Sequence, residues 1–434
     1  MTPLPRIAAI DELPLDATFK GYPGTEPPLR VGQVAARGWN LLREDLPLPA
    51  AVLKASALSH NRAWMRAYLA RTGAVLCPHG KTTMSPQLFA AQLEDGAFGI
   101  TCATAGQLPV YRRYGIQRVL MANQVVGGRA IAYVMAELGR DPAFELYLLV
   151  DSVDGVRRLA SAARAAGLGR PLRLLVEVGA NGARTGTRSM TDFEAVLGAV
   201  EAAGPGVRLH GVEAYEGVVE AADGPREAAI EALLDFQLAA STRARRSRAA
   251  ATPWLLSAGG SSYFDLVAQR LGAHVRDAGA LLVLRSGCYL THDHGTYAQA
   301  QAERTRRDPT VAGLGEGFRA ALEVWTHVQS RPEAARAYLT AGKRDLSYDV
   351  DLPRPLAWYR PGRHARPEPL DAAHRIVKLN DQHAHLALPE RSPLAVGDLV
   401  ALGISHPCTA FERWPLLYLV DDAYTVIDAV RTFF

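Results

Sequence analysis

Cysteine is scarce in this chain, and its four residues, Cys77, Cys102, Cys288 and Cys408, stand far apart with no CxxC pair. That spacing argues against a disulfide framework and fits a reducing compartment. Long apolar runs are missing, and the opening MTPLPRIAAIDELP has proline and acidic residues where a secretory peptide needs an apolar stretch, so the expectation is a cytoplasmic protein with no membrane partner. Charge of neither sign dominates. Lys+Arg 48 against Asp+Glu 44 leaves +4, and the basic residues are scattered apart from the run Arg243 to Arg248, so no nucleic-acid footprint is present. Internal repeats and low-complexity tracts are also lacking. With 48% apolar residues in 434, the chain has enough to bury a large core and to form one big domain plus a smaller one.

What is present is a regular alternation. Short β-branched or Leu-rich runs begin at Ala74, Gly99, Arg118, Glu145, Leu172, Leu209, Pro253 and Leu281, each pair separated by enough residues for one helix. Between them lie amphipathic stretches such as SPQLFAAQLEDG and SVDGVRRLASAARAAG, with Ser or Asp near their starts and Gly near their ends. Eight strands joined by crossover helices predict a parallel (β/α)8 barrel. An open doubly wound sheet is the rival, but nearly every strand ends in polar or Gly-containing residues (PHGK, CATAG, ANQ, VGANGARTG, YEG, SAGGSS, RSGCY), which suits ends converging on one mouth. After about Leu290 the texture becomes β-rich. The expected organisation is residues 1–45 as a segment packing on the rest, 46–289 as the barrel, and 290–434 as a C-terminal β domain.

Two strand ends carry chemistry. Pro78-His79-Gly80-Lys81-Thr82 closes the first strand and points a lysine into the mouth, where partial desolvation favours a nucleophilic, imine-forming amine. Most lysines are solvated surface groups, but of the five in the chain only Lys81 has this placement. SAGGSS, Ser257 to Ser262, ends the seventh strand and opens a helix. Glycines admit close approach of an anion, serines donate and the helix N-terminus adds its dipole, so the loop reads as a phosphate cradle, with a plain turn as the alternative. Lysine and phosphate cradle in one barrel suggest pyridoxal 5'-phosphate. Near the C-terminus, His406-Pro407-Cys408 puts an imidazole and a thiol on one side of an extended backbone, a pair that favours Zn²⁺ if it is a metal site, although an HxC pair alone is more often packing.

PHGKT, Arg184-Thr185-Gly186, EAYEG, SAGGSS, RSGCYLTHDHGTY and ISHPC together resemble the family of D-serine dehydratases and D-threonine aldolases over roughly Leu76 to Phe434. The resemblance implies an alanine-racemase-type (β/α)8 barrel with a C-terminal β domain, pyridoxal 5'-phosphate, zinc or another divalent metal, and a homodimer. It makes Lys81 the Schiff-base lysine and Arg184 the arginine reaching the cofactor ring oxygen. Gly259, Gly260, Ser261, Ser262 and Tyr289 fall on the phosphate-binding region, and Tyr215 lies near the ring, with a passive aromatic wall as its alternative. His406 and Cys408 match the metal pair. The dehydratases carry His-x-Cys there and the aldolases typically His-x-Asp, so Cys408 points to elimination of water from a D-3-hydroxy amino acid, giving a 2-oxo acid and ammonia. Retro-aldol cleavage to an aldehyde and glycine uses the same parts and remains the alternative. Racemisation needs a second-domain tyrosine that no motif here matches, and a non-catalytic cofactor-binding barrel would lack the 290–434 region and the metal pair.

Other residues carry open expectations. His292 with His294, and His383 with His385, are possible extra metal ligands, more often locally hydrogen-bonded. His79 is expected to pack beside the cofactor, Cys77 and Cys102 in the core, and Cys288 near the phosphate as a structural residue. Arg184, Arg285 and the Lys343-Arg344-Asp345 segment are candidates to meet a substrate carboxylate.

Overall fold

The structure is a computed structural model that describes residues 4–221 and 223–434. Eight parallel strands, Val75–Leu76, Ile100–Cys102, Arg118–Gln124, Glu145–Val150, Leu172–Val178, Val207–Ala214, Ala250–Ala258 and Leu281–Leu284, correspond to the eight apolar runs. They pair in the order first, eighth, seventh and so on back to the second. A parallel bridge between His79 and Thr101, supported by the Thr101 amide donating to the Pro78 carbonyl at 2.9 Å, joins the second strand to the first and closes the barrel.

The strands read as continuous apolar runs because both faces are covered. Cys77, Leu120, Tyr147, Leu149, Leu175, Leu255 and Val283 fill the barrel interior as one cluster, whereas Cys102 belongs to the layer between strands and helices. Crossover helices start where side chains satisfy the first-turn amides: Ser152 accepts from Gly155 and Ser189 from Asp192. Strand ends at one rim are thereby fixed on a scaffold in which a Leu→Ala change inside the barrel would cost about 2–5 kcal/mol.

A second, largely antiparallel sheet contains the strand Leu322–Glu333 at its centre, with Leu399–Gly403 and Arg354–Tyr359 to one side and Arg336–Leu339, Ala384–Ala387 and Arg375–Leu379 to the other. One strand departs from the expected organisation. Ala50–Lys54, placed with the barrel segment by the sequence reading, pairs antiparallel with Leu322–Glu333 and parallel with Leu416–Val420 in this second sheet. Its run AAVLK is buried on both faces, which a barrel strand would be too, so its composition does not distinguish the two sheets. The N-terminal residues lie on this sheet: Ile10, Tyr22, Val34 and Trp39 share a cluster with Val52, Trp325 and Tyr418, and Trp39 meets Tyr22 and Tyr418 edge-on at 5.9 and 6.1 Å. No helix among the described residues is long and apolar enough to cross a membrane.

Candidate active site

The barrel mouth holds a cavity of about 340 Å³ whose lining joins both halves of the chain: His79, Lys81, Arg184, Tyr215, Gly260 and Ser261 from the barrel, His406 and Cys408 from the segment after the strand Leu399–Gly403. An adjoining chamber of about 370 Å³ shares Tyr215, Gly260, Ser261, Tyr297 and His406 and adds Ser262 and Arg226.

Lys81 sits in the one-turn helix Gly80–Thr82, exposed to the cavity. Glycine is required on either side of it for space. A Cβ on Gly80 would stand 2.2 Å from the Tyr111 hydroxyl, and one on Gly287 would stand 2.5 Å from the His79 carbonyl, so the loops after the first and eighth strands pass in backbone contact. His79 is half-buried with its Nδ1 buried and unpartnered, and desolvation together with the nearby Lys81, Arg285 and Arg184 charges holds it well below the ordinary histidine range. It is a neutral ring packed beside the lysine.

Arg184 lies on a loop tied down by Arg188, which donates to the carbonyls of Arg184, Thr185 and Gly186 at 2.6 to 2.8 Å. Its guanidinium stands 4.7 Å from the Tyr215 ring centroid. Beneath the ring, Arg285 is paired with the buried Glu213 and donates to the Ala214 carbonyl at 2.8 Å. This engagement withdraws Arg285 from the role of free carboxylate receptor. Three buried carboxylates, Glu177, Glu213 and Glu216, face two guanidinium groups here, and burial pushes Glu213 up to about 8 against the pull of Arg285.

The SAGGSS loop differs from a simple cradle. The Gly259 and Gly260 amides are already donated to Glu216, at 3.1 and 2.6 Å. These glycines therefore serve by conformation, Gly259 with φ +87°, and not as anion donors. Ser261 and Ser262 remain on the cavity walls, their carbonyls held by Arg304 at 2.7 and 3.2 Å, and the following helix Phe264–Asp277 begins without a side-chain cap. Tyr289 is the residue the structure takes out of the site. Cys288 turns towards the cavity, so its neighbour faces the other way: Tyr289 is buried against Phe318 with ring centroids 6.1 Å apart and lines neither chamber. The aromatic hydroxyl on the cavity wall is instead Tyr297, in the first turn of Thr296–Arg307.

His406 and Cys408 reach the cavity by a different geometry from an extended pair. His406 caps the short helix Pro407–Phe411 and Cys408 lies in its first turn. His406 Nδ1 meets Asp349 Oδ2 at 2.5 Å, and Asp349 also accepts from Thr409 at 2.6 Å. Cys408 Sγ stands 3.6 Å from Cys288 Sγ and 3.5 Å from Thr82 Oγ1. The hydrogen bond between the two thiols lowers Cys288 and raises Cys408. Among the described residues no group of three or more His, Cys, Asp and Glu is gathered as a metal cluster. The other histidines stay out of the cavity: His292 packs on Phe318 at 5.6 Å, His294 lies behind Gly403, and His383 and His385 line a surface groove with Tyr338. Arg344 and Asp345 line a separate cleft with Lys20, which is bound to Asp345 at 2.7 Å.

Sequence reading passed over Tyr297, Asp349, Arg226 and Glu216, and assigned Cys288 to structure. Tyr297 lay inside the motif HDHGTY, but nothing in its spacing tells which of that run faces the mouth.

Comparison with known proteins agrees with this architecture. The family described as "Putative serine dehydratase domain" matches residues 321–420. A D-threonine aldolase of Arthrobacter sp. is 27% identical over 401 residues, covering 91% of this chain and 93% of its own length. A D-threo-3-hydroxyaspartate dehydratase of Delftia sp. (strain HT23) is 29% identical over 250 residues, 57% of this chain and 62% of that protein. The crystal structure of D-threonine aldolase from Filomicrobium marinum superposes with a TM-score of 0.74 at 23% identity, covering 91% of this chain and 97% of that one. The chain therefore has an alanine-racemase-like barrel with a C-terminal β domain, and it is similar in sequence to lyases of the D-threonine aldolase and D-3-hydroxyaspartate dehydratase kind.

Proposed function

We propose that the protein is a pyridoxal-phosphate- and divalent-metal-dependent dehydratase that eliminates water from a D-3-hydroxy amino acid to give a 2-oxo acid and ammonia. The observation that carries this reading is that Lys81 and the His406/Cys408 pair line one cavity.

The residues present fit both groups. Pyridoxal phosphate needs an amine, a flat wall and an anion site, and the cavity offers Lys81, Tyr215 beneath Arg184, and the hydroxyls of Ser261 and Ser262 beside an uncapped helix start. Arg226 adds a cation in the adjoining chamber. When bound, the cofactor supplies an electron sink for the pair left on Cα after proton removal. Lys81 would hold it through its amine, and the same amine would be the base that takes the Cα proton. Glu216 and Arg304 keep the serine loop in place, and the neutral His79 stands beside the lysine on the cavity lining.

A divalent cation at His406 and Cys408 would supply Lewis-acid assistance to departure of the 3-hydroxyl. The imidazole and sulfur donors suit Zn²⁺, and Asp349 fixes the His406 ring through Nδ1, leaving the other nitrogen free for a cation.

Cleavage to an aldehyde and glycine is the second reading, favoured by the D-threonine aldolase match over 91% of the chain. The test is to incubate cofactor-loaded protein with a panel of D-3-hydroxy amino acids, with and without chelator. Chelator-sensitive 2-oxo acid and ammonia support the dehydratase; aldehyde and glycine replace it with the aldolase. In Lys81→Ala the cofactor's imine absorption should vanish and turnover fall by about 10²–10⁴-fold or more, and an unchanged spectrum would sink the lysine assignment.

A further inference from the structure

The proposed metal pair leaves one thiol on the same wall unassigned. Cys288 arrives from the loop after the eighth barrel strand and Cys408 from the helix Pro407–Phe411, 120 residues later, yet their sulfur atoms stand 3.6 Å apart on the cavity lining. Two sulfurs bound at about 2.3 Å to one tetrahedral cation stand roughly 3.8 Å apart, so this separation lets both reach a single ion with little movement. Both thiols also approach the Thr82 hydroxyl, at 3.7 Å for Cys288 and 3.5 Å for Cys408, next to Lys81.

Backbone contacts fix the Cys288 side of this arrangement. Its amide donates to Ser261 Oγ at 3.2 Å, and Gly287 before it is in contact with the His79 carbonyl. The thiol is thus held at a place where the barrel meets the second sheet.

We propose that Cys288 is a second sulfur ligand of the divalent cation, binding it beside Cys408, while His406, which is not gathered with the two sulfurs into one group here, would turn in as the nitrogen donor. This deepens the reading above and rests on it. Each thiol would give its proton to solvent as it bonds, and the fourth position stays open for a substrate oxygen. Two thiolates shift the preference of the site from Mn²⁺ or Mg²⁺ towards Zn²⁺. The barrel itself would then hold the metal, and the cation would link the two halves of the chain across the cavity.

Metal binding by the full-length protein, stripped by chelator and kept reduced, tests this without turnover. Co²⁺ is titrated to read the sulfur-to-cobalt charge-transfer absorption in the near ultraviolet, and Zn²⁺ affinity is measured by competition, for the wild type, Cys288→Ser, Cys288→Ala, Cys408→Ser and His406→Ala. Circular dichroism confirms that each variant is folded. Both Cys288 variants are expected to lose about half the charge-transfer intensity. Because loss of an outer partner alone costs 10–100-fold in affinity, they should also bind Zn²⁺ at least about tenfold more weakly. Wild-type intensity and affinity in both Cys288 variants, with Cys408→Ser and His406→Ala impaired, would overturn the proposal and leave the two-ligand reading standing. Unimpaired binding in Cys408→Ser and His406→Ala would overturn both.

Discussion

The two walls of the cavity are built on opposite principles. On the barrel side, Lys81, Arg184 and Tyr215 stand on loops between rigid strands, and the charges behind them, Arg285, Glu213 and Glu216, are almost entirely buried and bonded to one another or to backbone. On the opposite side, His406 is fixed by one carboxylate, Asp349, whose side chain is 40% exposed, and Cys408 sits in a helix of 5 residues. Buried charge networks cannot be partly removed without leaving an unpaired ion in low dielectric, whereas an exposed carboxylate can be replaced at little cost to the fold. The barrel wall is preorganised by burial, and the second wall by a single hydrogen bond.

Breaking the barrel wall gives the largest expected effect on stability. Arg285→Met leaves Glu213 and the Ala214 carbonyl buried without their donor and should destabilise the protein by about 2–5 kcal/mol in denaturant unfolding, at about 1–3 kcal/mol for each unsatisfied group. Glu213→Gln should cost clearly less, because burial already favours a proton on that carboxyl. Equal losses in the two variants would show that Glu213 is fully charged.

Acid should loosen the second wall first. His294 is held down to about 4 and His292 to about 3 by burial, so the folded state keeps both neutral. At these two positions the unfolded chain binds protons between about pH 6.5 and 4 that the folded one refuses, a contribution that falls with pH by roughly 3 kcal/mol for His294 and is opposed by Asp293 between them, which burial pushes up to about 7. His294 packs behind Gly403, and its amide bonds the Ile404 carbonyl at 2.9 Å, two residues before His406. In Asp293→Asn, which removes that offset, hydrogen exchange at pH 5 should therefore open residues 399–408 before the barrel strands; simultaneous opening would deny the asymmetry.

Asp349→Asn should sharpen the contrast. The amide still reaches Thr409 but no longer fixes the imidazole as a carboxylate does, so metal affinity should drop about 10–100-fold while unfolding stability changes by less than about 1 kcal/mol. Asp349→Glu should recover part of the affinity. A stability loss matching that of Arg285→Met would place Asp349 in the structural framework instead.

The same contrast explains what was legible in the sequence. Barrel strands buried on both faces leave continuous apolar runs, and the polar residues that end them are local signals, so Lys81 and SAGGSS could be read directly. The pairing of Ala50–Lys54 with Leu322–Glu333 joins segments about 270 residues apart in the chain, and no local pattern names a distant partner. The approach of Cys288 to Cys408 and of Asp349 to His406 is equally non-local, which is why the residue types were visible but their encounters were not.

The smallest expected effect concerns a single alternation. RSGCY directs one of two neighbouring side chains into the mouth, and motif likeness assigned the phosphate to Tyr289. In the fold Cys288 faces the cavity, while the Tyr289 ring lies against Phe318 and its hydroxyl faces Gln92. Tyr289→Phe removes one hydroxyl from a packed interior, so it should cost about 1 kcal/mol of stability and leave cofactor affinity unchanged. Tyr297→Phe, on the wall shared by both chambers, should change cofactor or substrate affinity while leaving stability nearly intact. Fluorescence titration with pyridoxal phosphate separates the two tyrosines, and a weakened cofactor in Tyr289→Phe alone would mean that the loop after the eighth strand is one residue out of register with the structure described here.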